Sequence, residues 1–413
     1  MIIHSAMDLI PELYRKEYGK MVTVLCSRFG MAYMDIAEDI VSDTFLSAAE
    51  TWGMKGVPSN PVAWLYTVAR NNALNYLKHD KVFEKRVRKD LIQGGERSFE
   101  MDIDLSGQNI TDSQLQMLFA ICHPSIPAES QVSLALRVLC GFTIDEIAQA
   151  LLTSKGNINK RLFRAKEKLR AEEVEIAFPE GSAIGARLDT VLVCLYLLFN
   201  EGYYSASVDK VLRKDFCFEA MRLTYLLLGY PPTGKPGVYA LLALMCFQAS
   251  RFDARIDDSG ELVLYEEQDT SRWNQELIDR GSHFFVQASG RGEISKYHLE
   301  AAIAWWHTHH VAEREKWENI LRLYNQLLIL EYSPIAALNR TFVLSKVKGK
   351  EVAIAEAEKL KLDNNHYYFM LLGELYTGID QNNAKQNFEK ALQLAKNNSD
   401  KLLIEKKLKL ITR

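Results

Sequence analysis

The chain has 413 residues, of which 48% are hydrophobic and 25% are charged, and its formal net charge is −3. A chain of this length and composition can bury a substantial core and is too long for one ordinary domain, so we expect two or three domains. No apolar run reaches the roughly 20 residues that a membrane-spanning helix needs, so we expect no membrane partner. The longest run, residues 191–199, is predicted to be a buried helix.

The N-terminus and the cysteines both bear on the cellular compartment of the protein. The first residues, "MIIHSAMDLIPELYRK", lack the charged region, apolar run and cleavage site of a secretory signal. The six cysteines are scattered without a C-x-x-C pair, which indicates reduced, buried thiols and argues against disulfides or a zinc finger. The sequence therefore predicts a cytoplasmic protein.

Charge is segregated along the chain. Basic clusters occupy residues 81–89 and 155–170, whereas residues 94–112 are acidic and poor in apolar side chains. A basic stripe on a nearly neutral protein fits a polyanion that docks on one face, because phosphate contacts act over about a Debye length. The alternative is a solvated helix face, which charge runs usually form.

Apolar residues recur at helical spacing through almost the whole chain, which predicts an all-α fold. Pro58 and Pro61 separate the second helix from the third, and Pro61 suits a first helical turn. Residues 94–107 read as a linker, and a second helical group covers residues 112–175. One short β-hairpin is predicted around Asp258 to Gly260, where the pattern alternates.

The last ninety or so residues show spacing typical of tetratricopeptide repeats. The positions are Gly373, Tyr376, Ala384, Phe388 and Ala391. Small and aromatic residues at this spacing let paired helices pack closely, and stacked pairs form a concave groove that suits a protein or peptide partner. The alternative is ordinary helical packing.

The segment "FTIDEIAQALLTSKGNINKRLFRAKEKLR" has the pattern of a helix-turn-helix. A short helix begins at Ile144, a turn covers residues 152–154, and a longer helix starts at Lys155 with Ser154 as its N-cap. Residues in its first turns can read bases, since Asn pairs with adenine and Lys reaches guanine: Lys155, Asn157, Asn159 and Lys160. Residues further along are expected to contact phosphates, which position without specifying: Arg161, Arg164, Lys166 and Lys168.

A second feature lies about a hundred residues upstream. The helix "DIAEDIVSDTFLSAAETW" places Asp35, Glu38, Asp39 and Asp43 on a largely shared acidic surface. The helix after the proline loop mixes aromatic, amide and basic groups, which suits single-stranded DNA because aromatics stack on bases while cations hold the backbone. Those residues are Trp64, Tyr66, Arg70, Asn71, Asn72, Asn75 and Lys78. For Trp64, core packing is favoured over base stacking.

Together the two segments resemble the extracytoplasmic function (ECF) group of bacterial RNA polymerase sigma factors. The acidic motif, the "NPVAWLYTVARNNALNYL" helix, an acidic linker and the helix-turn-helix keep the family's order over about residues 8–175. The resemblance implies two small helical domains, sigma region 2 in residues 1–92 and region 4 in residues 112–178, joined by a flexible linker in residues 93–111. Ser42 and Asn157 depart from the residues that many relatives have.

The resemblance also implies core RNA polymerase and promoter DNA as partners. Residues that match the polymerase-binding motif are Asp35, Glu38, Asp39, Asp43 and Phe45. Residues that match the minus-10 contact helix are Trp64, Tyr66, Arg70, Asn71, Asn72, Asn75 and Lys78. Residues that match the minus-35 reader are Ser154, Lys155, Asn157, Asn159, Lys160, Arg161, Arg164 and Lys168.

Residues 179–413 resemble the helical, tetratricopeptide-like extension of one ECF subgroup, which implies control by the attached domain. Polar and aromatic residues among its helices are candidates for a regulatory pocket or for contacts with the sigma domains: Asn200, Glu201, Tyr203, Asp269, Arg272 and Trp273. The alternative is structural, because Asp269 and Arg272 at i,i+3 can form a surface ion pair worth about a few tenths of a kcal/mol.

The sequence gives no reason to expect an enzyme, a cofactor or a metal. No Gly-rich nucleotide loop and no Ser-His-Asp or Cys-His arrangement is visible. His307 and His310 share a helical face but lack a matching Cys or carboxylate pattern. The alternative to a sigma factor is a helix-turn-helix DNA-binding regulator with a protein-binding helical scaffold that does not associate with polymerase.

Overall fold

The computed structural model describes residues 6–79, 104, 106–181, 183–204, 210–255, 263–290, 292–309, 312–395 and 398–411. Every regular element in this part of the chain is a helix, so the prediction of an all-α fold is confirmed. The predicted hairpin turn at Asp258 to Gly260 lies outside the described residues, as do the basic cluster at residues 81–89 and residues 94–103 of the predicted linker. The other end of that linker is helical, because a helix begins at Gly107.

The chain divides into two compact units. The first contains residues 1–207 and 211–233, and the second contains residues 208–210 and 234–413. The residues of the two predicted sigma domains therefore belong to one unit. The first two helices of the predicted extension belong to the same unit.

Among the residues that the structure describes, nine α-helices belong to the first unit. They are α1 (Ala6–Phe29), α2 (Met34–Lys55), α3 (Pro61–His79), α4 (Gly107–Ile121), α5 (Ala128–Leu134), α6 (Ile144–Ala150), α7 (Lys155–Ala171), α8 (Ala183–Tyr204) and α9 (Lys210–Leu226). A π-helical segment, Ala135–Leu139, follows α5 directly. Helix α1 lies at the centre, since it contacts α2 and α3 as well as α4 and the π-helical segment.

Local sequence explains where these helices begin. Pro61 is the first residue of α3, as predicted, because its fixed φ suits a first turn and its missing N–H is not needed there. Ser106 caps α4 by accepting a hydrogen bond from the N–H of Asn109. Thr143 and Glu146 form a capping box at the start of α6, in which each side chain accepts from the other residue's backbone N–H.

Helix α8 contains the longest apolar run of the sequence. By length and composition alone it is apolar enough to cross a membrane, a test that core helices of soluble proteins also pass. In the structure it contacts α4 and α5, and Val191, Leu195 and Leu198 are completely buried. The prediction of a buried helix for residues 191–199 is therefore confirmed.

In the described part of the second unit there are ten α-helices. They are α10 (Pro236–Ala249), α11 (Phe252–Arg255), α12 (Gln275–Ala288), α13 (Lys296–Thr308), α14 (Glu313–Leu330), α15 (Pro334–Lys348), α16 (Lys350–Glu358), α17 (His366–Tyr376), α18 (Gln381–Leu394) and α19 (Asn398–Ile411). From α13 onward, each helix packs against the next one in sequence.

The spacing of small and aromatic residues near the C-terminus acts as predicted for closely packed helices. A Cβ at Gly373 would lie 2.8 Å from the ring of Phe388, so α17 and α18 approach at a point that only glycine permits. Ala384 and Ala391 on α18 are fully buried. These contacts belong to one core that also includes Tyr368, Leu372 and Ile404.

Candidate nucleic-acid interface

Helices α6 and α7 form the predicted helix-turn-helix. The turn passes through Leu152, whose φ of 48° is left-handed, and α7 begins at Lys155. Ser154 is the N-cap of α7, as predicted, since its side chain accepts a hydrogen bond from the N–H of Asn157. Ile147 and Ala148 of α6 and Ile158 of α7 are buried, and these apolar side chains fix the two helices against each other.

The first turns of α7 present polar side chains to solvent. Lys155, Asn157, Asn159 and Lys160 are all exposed. Lys155 Nζ lies 2.7 Å from a carboxylate oxygen of Asp145, a surface pair that is weak and screened by salt. The predicted base readers are therefore available to a ligand on this face.

The second half of α7 divides between two surfaces. Arg164 and Lys168 are exposed, and Lys168 pairs with Glu172 at 2.7 Å. Arg161 is half-buried and donates a hydrogen bond of 2.9 Å to Glu129 on α5. Lys166 is only 8% exposed, so it does not lie on the exposed basic face as the sequence pattern predicted.

Phe163 is an exposed residue that the sequence reasoning missed. Its side chain is 65% exposed on the same helix as Lys160 and Arg164. The signal was present in the spacing, because Phe163 falls outside the buried positions Ile158, Leu162 and Ala165. An apolar side chain on a basic face can contact a thymine methyl group.

Helix α2 carries its acidic residues on two different surfaces. Asp39 and Asp43 are exposed, and Leu46, 59% exposed, extends the same stripe one turn further. Phe45 is buried, with its ring 5.0 Å from that of Tyr14. Asp35, whose side chain is 54% exposed, and Glu38, whose side chain is 12% exposed, both contact α7, and these contacts join the two halves of the unit.

Helix α3 presents only part of the predicted aromatic and polar set. Asn71 and Asn75 are exposed and Asn72 is half-buried, as is Trp64, whose ring packs 5.4 Å from that of Trp52. Arg70 is exposed, and of the Lys78 side chain nothing is described. Tyr66 is 8% exposed and donates a hydrogen bond of 2.8 Å to Glu17, so its ring is part of the core in this conformation.

Lys166 connects α7 to α2 through two carboxylates. Its Nζ lies 2.8 Å from Asp35 Oδ1 and 3.0 Å from Glu38 Oε2. Burial acts to lower the pKa of Lys166, but Glu38 and Asp35 outweigh it and the pKa is raised. Burial likewise acts to raise the pKa of Asp35, but hydrogen bonds from Lys166 and Arg170 lower it. Lys166 and Asp35 are therefore both charged near neutral pH.

Other contacts extend this junction across the unit. Arg170 also binds Asp35, and Arg15 of α1 pairs with Glu146 of α6 while its guanidinium lies 3.9 Å from the ring centre of Phe142. The backbones of α1 and the π-helical segment also approach closely at Gly19, where a Cβ would lie 2.2 Å from the carbonyl oxygen of Leu139. Residues 6–79 and 107–171 are thus packed together through charged and backbone contacts.

Helices α8 and α9 also contact residues at this junction. Arg222 of α9 donates hydrogen bonds to Leu139 O at 3.4 Å and to Gln114 Oε1 at 3.3 Å. The rings of Phe142 and Phe216 pack edge to face at 4.3 Å, and Arg187 of α8 donates to Phe119 O. The Leu139 carbonyl is therefore the point where α1, the π-helical segment and α9 meet.

Two family models match the helices that form this surface. Residues 14–82 match "Sigma-70 region 2" and residues 122–169 match "Sigma-70, region 4". The ECF RNA polymerase sigma-E factor of Haemophilus influenzae is 24% identical over 170 residues, which is 40% of this chain and 86% of that protein. The RNA polymerase sigma factor YlaC of Bacillus subtilis is 26% identical over 166 residues, 40% of this chain and 91% of its own.

The chain belongs to the ECF sigma factors. It carries a C-terminal extension, and residues 187–289 of it match a family of unknown function, DUF6596. An uncharacterized protein of Rhizobium meliloti, R00370, is similar over nearly the whole length, with 33% identity over 382 residues, 91% of this chain and 90% of that protein. No solved structure matches the chain.

In this sigma factor the predicted regulatory residues are divided between the two units. Asn200, Glu201 and Tyr203 lie in the first unit, whereas Asp269, Arg272 and Trp273 lie in the second. Tyr203 is buried, and burial together with Glu129 raises the pKa of Glu201, against the effect of Arg161. Asp269 caps a short helical turn by accepting from the N–H of Ser271, a structural role different from the surface ion pair with Arg272 that the sequence offered as the alternative.

Proposed function

We propose that this ECF sigma factor binds core RNA polymerase and directs it to a set of promoters in the cytoplasm. The observation that carries the proposal is the exposed surface of the first turns of α7, where Lys155, Asn157, Asn159 and Lys160 lie outside the core. The same chain also matches sigma region 2. Region 4, predicted at residues 112–178, supplies the minus-35 reader. Region 2, predicted at residues 1–92, supplies the minus-10 and polymerase contacts. No enzymatic step is needed for this function.

Two surfaces support the assignment of partners. The exposed stripe of Asp39, Asp43 and Leu46 is acidic with one apolar residue, and it suits the polymerase. The exposed face of α3 with Asn71 and Asn75 suits single-stranded DNA, since amides can pair with unstacked bases. Regions 2 and 4 are packed together in this structure, which we call the closed arrangement. Both surfaces are exposed in it.

In the closed arrangement, regions 2 and 4 cannot bind both promoter elements at once. The minus-10 and minus-35 elements are about 25 base pairs apart, which is about 85 Å of B-form DNA at about 3.4 Å per base pair. Yet Lys166 on the reading helix lies 2.8 Å from Asp35 of region 2. Promoter binding through both regions therefore requires regions 2 and 4 to separate.

The extension supplies a means of regulation in this proposal. Helices α8 and α9 contact region 4 at Phe119, Leu139 and Phe142. Leu139 and Phe142 also face α1, Leu139 at Gly19 and Phe142 at Arg15. A helix pair that stabilises this surface of region 4 favours the closed state. A signal that loosens it would release the two regions, and a signal that tightens it would hold them together.

Run-off transcription with purified core polymerase tests the function. The full chain should start specific transcripts from promoters upstream of its own operon, and core polymerase alone should not. Tight binding to intact duplex DNA, together with failure to co-purify with core polymerase, would favour a regulator that acts without polymerase.

The division of roles along α7 gives a separate prediction. Lys160→Ala should change the preference among promoters, because Lys160 lies in the reading turns. Lys168→Ala should weaken binding to all promoters alike and reduce the salt slope by about 1, as expected for the loss of one phosphate contact. Binding of the polymerase holoenzyme to several promoters at several salt concentrations measures both quantities. The same effect at every promoter from both changes would refute the division.

A further inference from the structure

The second unit contains a cavity whose walls differ in chemistry. Its volume is about 350 Å³, at the small end of the range of about 300–1,000 Å³ that is usual for small-molecule sites. Phe285 of α12 and the adjacent Trp305 and Trp306 of α13 form one wall. Helix α14 contributes Leu323 and three polar residues, Asn319, Arg322 and Gln326, whose spacing of three and four residues places the polar side chains on one face.

The aromatic wall is held in place by its neighbours. The ring of Trp305 stacks on that of His309, with centroids 4.2 Å apart and planes at 21°. Trp306 packs edge to face against Trp305 at 5.1 Å and 89°. Both indoles are only half-buried. Fixed, partly exposed aromatic faces suit a planar apolar ligand, because little side-chain freedom is lost when it binds.

The polar wall carries a single charge. Arg322 is the charged residue of the lining, and it forms no hydrogen bond or ion pair with any residue that the structure describes. Glu318, one turn earlier on α14, pairs with Arg314 at 3.1 Å. The side chain of Gln326, one turn later, also makes no hydrogen bond within the described part of the chain. The guanidinium is therefore available to an anion.

We propose that this cavity binds a small aromatic carboxylate. The carboxylate pairs with the planar guanidinium of Arg322, whose fork of donors matches two oxygens, and Gln326 donates a further hydrogen bond. The ring lies against Trp305, Trp306 and Phe285. This site goes beyond the proposed function, since binding is a property of the free protein and does not depend on transcription.

Calorimetric titration of the full chain with 1-naphthoate and with its neutral amide, 1-naphthamide, tests the site. The two probes share their ring system and differ in charge. Naphthoate should bind at least about tenfold more tightly, the effect expected for a charge-assisted hydrogen bond. Arg322→Met should reduce naphthoate affinity to that of naphthamide and leave naphthamide unchanged.

Arg314→Met is the matched control, because Arg314 is 92% exposed on the same helix and its partner is Glu318. It should leave the binding of both probes unchanged, and circular dichroism checks that each variant keeps its helices. Equal affinity for the two probes, no binding of either at millimolar concentration, or equal losses from Arg314→Met and Arg322→Met would each overturn the proposal.

Discussion

Gly19→Ala is expected to separate regions 2 and 4 and to raise promoter-specific initiation by at least about fivefold. The new Cβ would lie 2.2 Å from the Leu139 carbonyl oxygen and 3.0 Å from that of Val138, which are backbone atoms that cannot turn away. Overpacking of this kind costs about 1–3 kcal/mol, which changes a closed-to-open ratio by about 5–150-fold. Alanine also favours α1 itself by about 1 kcal/mol, so region 2 alone keeps its fold.

Single-molecule energy transfer between dyes at Glu50→Cys and Arg164→Cys measures the separation. Both positions are exposed, and the six native cysteines are buried, so labelling is selective. Gly53→Ala is the matched control, since Gly53 is an exposed helical glycine with no atom within 4 Å of a built Cβ. The account is wrong if Gly19→Ala lowers initiation while the dyes remain at their original distance.

Lys166→Met is expected to raise initiation, whereas the loss of a phosphate-binding lysine would lower it. Removal of Lys166 leaves Glu38, whose side chain is 12% exposed, with Arg137 at 3.9 Å as the remaining cationic partner among the described residues. Breaking a fully buried ion pair costs about 3–5 kcal/mol. Asp35 is 54% exposed, so we discount this to about 1–3 kcal/mol because solvent screens the pair. The closed state loses that stability, and initiation should rise about fivefold or more.

The control for this change lies half a turn away on the same helix. Lys168→Met removes the same charge from an exposed side chain, and it should weaken promoter binding without changing the dye separation. Run-off transcription and energy transfer on both variants distinguish the roles. If Lys166→Met and Lys168→Met lower initiation equally, then Lys166 contacts DNA and the closed state does not restrain initiation.

Local features of this chain were predictable because local chemistry determines them. The helix-turn-helix follows from apolar spacing at Ile147, Ala148 and Ile158 and from the cap at Ser154. The burial of residues 191–199 follows from composition, and the close approach at Gly373 follows from repeat-like spacing. Each of these needs only residues within one or two helical turns, or one neighbouring helix.

The junction between regions 2 and 4 was not predictable in the same way. Lys166 and Asp35 are 131 residues apart, and nothing in the basic pattern of α7 distinguishes Lys166 from Arg164 or Lys168. Helical spacing assigned all three to phosphates, but packing turned Lys166 towards α2. The same limit applies to Tyr66, which aromatic composition assigned to DNA and which a hydrogen bond to Glu17, 49 residues away, holds in the core.

Domain boundaries also depend on contacts between distant residues, so the sequence pattern alone could not predict them. The loop after residue 178 marks a break in the helical pattern, and the sequence places the extension there. Tertiary contacts instead put α8 and α9 with the sigma regions and place the division near Thr233. A truncation that tests the second unit should therefore end near residue 233, because a cut at residue 178 removes part of the first core.

Run-off transcription by the full chain and by Gly19→Ala, with purified core polymerase and the promoter upstream of the chain's own operon, tests the central claim most directly. We expect a specific transcript with the wild-type chain, none with core polymerase alone, and at least about fivefold more transcript with Gly19→Ala. No transcript above core polymerase alone from either chain would contradict it.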